Sequence, residues 1–399
     1  MKLSNRIYDM PFSGTRKLTP YIEKAKEKGK KIIELYVGQP DIKTPEGFFD
    51  AIKNFKPEVL AYGANNGNPK LRKVISKYYK EKGIDFDWDE ILITIGGSEA
   101  LLFSLISICD PGDKVLAVEP LYTDYNTIAK ELNIEIKAIT TSPENGYHLP
   151  DKKTIEALID KDTKGILMNH PNNPTGTVYT DEEVNMISDI VLENDLFLIS
   201  DEVYREFVYE GLEYTSFAQI EKIKDHVIIV DSISKRYSAC GARIGNIASK
   251  NKDFINNVIK LCQSRICPPT LDQEGAIELY KTPKEYFKEV NNEYRKRRDL
   301  VYGLLSKMEG IVCQKPEGAF YICAKLPVDN AEKFLIWMLE NFEDNGEVVM
   351  LSPIEGFYAS EGLGTKEVRI AYVLEEDKLK RAMEILEKAL VSYPNRTNY

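Results

Sequence analysis

The chain has 399 residues, 43% of them hydrophobic and 29% charged, a globular mix long enough for two or three domains. Its net charge of −10 excludes a wholesale binder of nucleic acid or of anionic membrane. No apolar run reaches the ~20 residues of a membrane span, and the N-terminus lacks the apolar stretch of a secretory signal.

The first segment, to about Pro45, holds too few apolar residues for a core of its own and is expected to dock elsewhere. From about residue 90 onward, short apolar runs alternate with amphipathic stretches. The runs "EILITI", "KVLAV", "IEIKAI", "GILMN", "LFLIS", "VIIV" and "RIGNIA" predict seven strands, and their low charge predicts cover on both faces. Between them, "SEALLFSLISIC" and "DEEVNMISDIVLEND" predict helices. This alternation predicts an α/β fold with a mostly parallel seven-stranded sheet, whose ligands gather at the carboxyl ends of the strands. The last hundred residues read as a smaller α+β domain. A charged helix, "EYFKEVNNEYRKRRDLVYGLLSKM", opens it, and its "KRR" reads as a solvated face. Then follow "GAFYICAKL", a helix near "AEKFLIWMLENF", strands near "VVMLS" and "VRIAYV", and a closing helix in "DKLKRAMEILEKALV".

Four strand ends carry candidate chemistry. In "ITIGGSEALLFSL", a glycine turn opens a helix, and the backbone N–H groups around Gly97, Ser98 and Glu99 suit an anion. The same stretch resembles a nucleophile elbow with Ser98 as nucleophile, which is the hydrolase alternative. In "MNHPNNPTGTVYT", Asn173 follows a strand in a run that also reads as a plain turn. In "LFLISDEVYREFVY", Asp201 ends an apolar run as a helix cap or a ligand group, with Tyr204 three residues on. In "DSISKRYSACGARIG", Ser232, Ser234, Lys235 and Arg243 follow "VIIV". Together these ends supply what a phosphorylated, nitrogen-containing carbonyl cofactor needs. No two of the three histidines stand at a metal-ligand spacing, and none of the six cysteines forms a CxxC pair, so no metal is expected. Scattered thiols suit a reducing cytoplasm.

The chain resembles the fold-type I, pyridoxal-phosphate-dependent aminotransferases of class I/II over nearly its whole length. The landmarks are "YVGQPDIKTP", "YGANNGNPKLR", "GGSEAL", "PLYTDY", "NNPTG", "SDEVYREF", "SISKRYSACGARIG" and "VRIAYV", in order. "SISKRYSACGARIG" and "PPTLDQ" look most like the bacterial aspartate aminotransferase branch. The resemblance implies a large cofactor domain over 46–290 and a small substrate-closing domain from 1–45 and 291–399.

It also implies roles. Lys235 resembles the lysine that forms a Schiff base with pyridoxal 5'-phosphate and moves the α-proton. Asp201 would pair with the pyridine nitrogen. Asn173 and Tyr204 would bond the phenolic oxygen, and Tyr122 would stack on the ring. The backbone of Gly97, Ser98 and Glu99, with Ser232 and Arg243, would hold the phosphate. Tyr62 resembles the tyrosine that reaches a partner subunit's phosphate, which implies a homodimer with shared sites. Arg369 and Gly38 resemble the groups that bind the substrate α-carboxylate.

The implied reaction is ping-pong transamination between an amino acid, expected to be aspartate, and a 2-oxo acid, expected to be 2-oxoglutarate. The distal carboxylate of such a substrate needs a cation, and Arg16 and Arg265 are the candidates. A cysteine-conjugate β-lyase on the same fold is the nearest alternative. A non-catalytic sensor is another, though no basic helix-turn-helix segment precedes residue 45.

Overall fold

A computed structural model describes residues 1–10, 16–209 and 211–397, the side chains of Asp9 and Arg16 excepted. Its strands are β1 Lys31–Glu34, β2 Ile91–Thr94, β3 Lys114–Glu119, β4 Glu135–Thr140, β5 Thr163–Asn169, β6 Phe197–Asp201, β7 Val227–Ser232, β8 Gly245–Ala248, β9 Val312–Cys313, β10 Tyr321–Lys325, β11 Glu347–Met350, β12 Ser352–Pro353 and β13 Glu367–Ala371. The seven runs picked out as strands are β2 to β8. They form one sheet in the order β2-β8-β7-β6-β5-β3-β4. Pairing is parallel except around β8, which runs antiparallel to both β2 and β7.

Both faces of this sheet are covered. Ile229 of β7 packs into one core with Ile166 and Leu198, while its neighbours Ile228 and Val230 pack into the other with Leu167 and Ile199. Side chains alternate across a strand, so a run apolar at every position needs cover on each side. Each fully buried valine or isoleucine is worth roughly 1.5–3 kcal/mol.

A second sheet, β12-β13-β10-β9, is antiparallel and shares its core with Phe334 and Leu335 of the helix Ala331–Asn341 and with Leu379 and Leu386 of the helix Glu376–Ser392. The N-terminal segment joins this core through Leu18, Ile22 and Leu35, and β1 pairs in parallel with β11.

One expectation fails. The "KRR" of the helix Lys284–Leu305 is not a solvated face, because Arg297 and Arg298 are buried. Arg297 binds Asp41 at 2.6 Å, Glu293 at 2.8 Å and the Val373 carbonyl at 2.6 Å. Arg298 binds the Asp299 carboxylate and the Pro316 carbonyl. Glu293 and Asp299 are near in the chain, but Asp41 and the carbonyls of Val373 and Pro316 lie outside this helix, and a local charge pattern does not reveal them.

Candidate active site

Sheet order gathers the site. β5, β6 and β7 are adjacent and parallel, so Asn169, Asp201 and Ser232 finish at one edge. The register pairs Gly245 of β8 with both Ser232 and Thr94, which brings Arg243 and the glycine turn after β2 to the same edge. Gly96 in that turn has φ +75°, and a Cβ there would lie 2.4 Å from Nη2 of Arg243. Glycine is therefore required both for the left-handed backbone and for room beside the guanidinium. The helix Gly96–Ile108 that follows has no side-chain hydrogen bond at its N-cap, so its first N–H groups are free for an anion.

A cavity of about 340 Å³ lies over these strand ends. Of the expected residues, Gly38, Gly97, Ser98, Tyr122, Asn173, Asp201, Tyr204, Ser232, Lys235, Arg243 and Arg369 line it. Tyr62 does not, and is 82% exposed. Glu99 does not either: its carboxylate accepts from Ile95 N at 2.8 Å and from Arg265 Nη1 at 2.9 Å. Arg265 also donates to the carbonyls of Asn65 and Ile93, so it is a clamp on the glycine turn and not a reader of substrate. Arg16 begins the turn Arg16–Leu18, and its side chain lies outside the described residues.

The lining is cationic. It holds Lys235, Arg243 and Arg369 against one carboxylate, Asp201, among the described residues. Lys235 Nζ donates to the Gly38 carbonyl at 2.8 Å, and Arg243 Nη1 to the Cys240 carbonyl at 3.1 Å. Arg369 donates to Asn173 Oδ1 at 2.9 Å and to the Tyr36 carbonyl at 2.7 Å, while its buried Nε has no partner among the described residues. Tyr204 shares its hydroxyl with that of Tyr321 at 2.9 Å, and Asn173 Nδ2 reaches it at 3.5 Å. The Tyr122 hydroxyl donates to Asp124 at 2.6 Å, and its ring meets Tyr125 edge to face.

Asp201 is not a helix cap. It ends β6, and Tyr125 donates to its Oδ2 at 2.8 Å. Burial pushes its pKa up from the usual carboxylate value to about 7, while the Tyr125 hydrogen bond pulls the other way. A raised native pKa means the native state keeps a proton that the unfolded chain releases between about pH 4 and 7. Ionisation therefore subtracts from stability as pH rises through that window. The stability advantage of Asp201→Asn over wild type, both without cofactor, is expected to grow by roughly 2–3 kcal/mol from about pH 5 to about pH 8.5. Urea unfolding at several pH values measures it, and a difference that does not change with pH contradicts it.

Beneath Lys235 lies a buried ionic chain that sequence did not signal. Arg236 binds Asp231 at 2.7 Å, Asp231 binds Arg205 at 3.1 Å, and Arg205 binds Glu202 at 2.6 Å. Its ends adjoin Lys235 and Asp201 in the chain, so it braces the two strand ends together. Removing one member of a buried pair strands its partner's charge. Arg236→Ala is expected to lose about 3–5 kcal/mol of unfolding free energy. A loss below about 1 kcal/mol in denaturant titration is incompatible with this brace.

The hydrolase alternative finds no support. His148 pairs with Glu183, His170 is buried between Tyr179 and Tyr214, and His226 bonds the Leu196 carbonyl. None lines the cavity with Ser98.

The residues fit pyridoxal phosphate on chemical grounds. An uncapped helix start beside Arg243 suits a phosphate, an amine and a carboxylate face one cavity, and the free edge of Arg369 suits a second anion. Asn169, Tyr125 and Tyr321 were missed by sequence reasoning. Tyr125 had a signal, since it lies one helical turn after Tyr122 in "PLYTDY"; Tyr321 read only as part of a strand.

Known proteins resemble the chain over nearly its whole length. A sequence model of the family Aminotransferase class I and II matches residues 30–386. An aspartate aminotransferase of Bacillus sp. (strain YM-2) is 31% identical over 97% of this chain and 98% of its own. Among solved structures, an aspartate aminotransferase of Thermotoga maritima superposes with a TM-score of 0.89 at 27% identity, covering 98% of this chain and 100% of its own. An alanine aminotransferase of Pyrococcus furiosus does so with a TM-score of 0.89 at 32% identity, covering 97% of this chain and 99% of its own. The chain belongs to the class I and II aminotransferases, enzymes that pass an amino group between amino acids and 2-oxo acids with pyridoxal phosphate.

Proposed function

We propose that the chain transfers the amino group of aspartate to 2-oxoglutarate by a ping-pong route. The observation that carries the site is the meeting of Lys235, Asp201 and the free edge of Arg369 in one cavity. When bound, pyridoxal phosphate supplies an electrophilic carbon and a ring that accepts the electron pair left by a departing α-proton.

Each residue then has a task. Lys235 would hold the cofactor by Nζ and, once displaced by substrate, carry the α-proton on that same atom. Asp201, kept buried with Tyr125 on Oδ2, would keep a proton on the ring nitrogen. Tyr204 and Asn173 would bind the ring oxygen, and Tyr122 would cover a ring face. Gly97, Ser98 and Glu99 by backbone, with Ser232 and Arg243, would bind the phosphate. Arg369 and Gly38 would orient the substrate carboxylate, and the walls of the cavity would exclude water.

On this reading residues 46–290 form the cofactor domain, and 1–45 with 291–399 form the substrate-closing one. A homodimer completes the site, with Tyr62 reaching across. Val59, Leu60, Tyr62 and Ile266 are exposed, and the 59–65 and 265–270 segments adjoin, which supports an apolar dimer face there. Six free cysteines support a reducing, cytoplasmic setting.

The substrate proposal rests on the aspartate-named relatives and on Arg16 as reader of the distal carboxylate. Wild type is expected to prefer aspartate over alanine in kcat/KM by about tenfold or more, and Arg16→Ala to lose that preference. Equal use of both amino acids by wild type contradicts aspartate. An unchanged preference in the variant removes Arg16 from the account.

A further inference from the structure

Tyr321, the first residue of β10, touches three parts of the site. Its hydroxyl lies 2.9 Å from that of Tyr204. Its ring lies under the Arg369 guanidinium, 4.5 Å from centroid to Cζ. Its hydroxyl also fills the space that a Cβ on Gly38 would need, at 1.9 Å. Tyr321 is 1% exposed, and its hydroxyl has no other hydrogen-bond partner among the described residues.

These contacts close a ring. Arg369 bonds Asn173, Asn173 reaches the Tyr204 hydroxyl, Tyr204 meets Tyr321, and Tyr321 returns to the face of Arg369. We infer that Tyr321 is a positioning residue that fixes Tyr204 relative to Arg369, so that carboxylate binding and the hydroxyl at the cofactor's ring oxygen act as one unit. The inference rests on the reading of the site given above. If Tyr204 donates its proton into the cavity, its oxygen is left to accept. Asn173 offers a long contact at 3.5 Å, so Tyr321 becomes the main donor. A hydroxyl that accepts a hydrogen bond donates a stronger one.

The ring can be opened at one joint at a time. Tyr321→Phe removes the hydroxyl and keeps the aromatic face beneath Arg369. Tyr321→Leu removes both. A weaker donor at the ring oxygen leaves that oxygen more basic, and a neighbouring proton is then held to higher pH.

The test is a pH titration of the cofactor's visible band in holoenzyme, with steady-state kinetics on aspartate. For Tyr321→Phe the midpoint is expected to rise by roughly 0.5 pH unit, with kcat down about 5- to 10-fold and KM within about twofold. For Tyr321→Leu, KM rises about tenfold in addition. In a Tyr204→Phe background, Tyr321→Phe is expected to move the midpoint no further. A wild-type midpoint and kcat in Tyr321→Phe, or full additivity with Tyr204→Phe, overturns the inference while leaving the site's reading intact. A wild-type protein that takes up no pyridoxal phosphate overturns both.

Discussion

Replacing Lys235 by alanine is expected to lower kcat/KM for transamination by at least about 10⁴-fold and to leave the fold in place. Among the described residues no second lysine lines the cavity, so no other side-chain amine there is placed to take over the proton. Among the described residues its Nζ makes one hydrogen bond, to the Gly38 carbonyl, and the loss of that bond costs about 1 kcal/mol of stability. The residues around Arg243 that would bind the phosphate are untouched, so the variant is expected still to take up pyridoxal phosphate. Half-reaction rates in wild type and variant, with thermal unfolding of each, make the comparison. Activity within about a hundredfold of wild type assigns the proton transfer to another group.

Arg369→Ala is expected to raise KM for amino acids by about 10²- to 10³-fold, with a smaller effect on kcat. A guanidinium has five N–H donors, and two nitrogens of Arg369 each spend one, on Asn173 and on the Tyr36 carbonyl. The remaining edge, which includes the buried unpartnered Nε, can grip a carboxylate at two points. The rings of Tyr321 and Phe357, at 4.5 and 5.2 Å, hold the guanidinium in its plane. Lysine keeps the charge but loses the fork, so Arg369→Lys recovers only part of the affinity. An alanine variant with wild-type KM places carboxylate recognition elsewhere.

The central sheet was legible because its strands are buried on both faces. Runs such as "VIIV" and "GILM" carry no polar side chain, and little else in a chain does so. Ser98, Asn173, Asp201, Ser232 and Lys235 were legible because they stand at strand ends, whereas Gly38, Tyr122 and Arg369 were reached only through the family resemblance. What stayed hidden depends on partners distant in sequence. β1 is four residues long and is held by β11, more than 300 positions away. Arg297 and Arg298 looked solvated until Asp41 and two backbone carbonyls were beside them. Arg265 looked like a free cation, but Glu99 claims it. Tyr321 lay in plain view in "GAFYICAKL", yet its role depends on which way one strand residue faces.

Lys235 is proposed to hold the cofactor. Borohydride reduction of the holoenzyme, followed by peptide mass mapping, tests it most directly, since reduction fixes the cofactor to whichever amine bears it. The added mass is expected on the peptide that contains Lys235, and is expected to be absent when the protein is first saturated with an amino acid. Label on a different lysine, or none on a protein that carries the visible band, contradicts it.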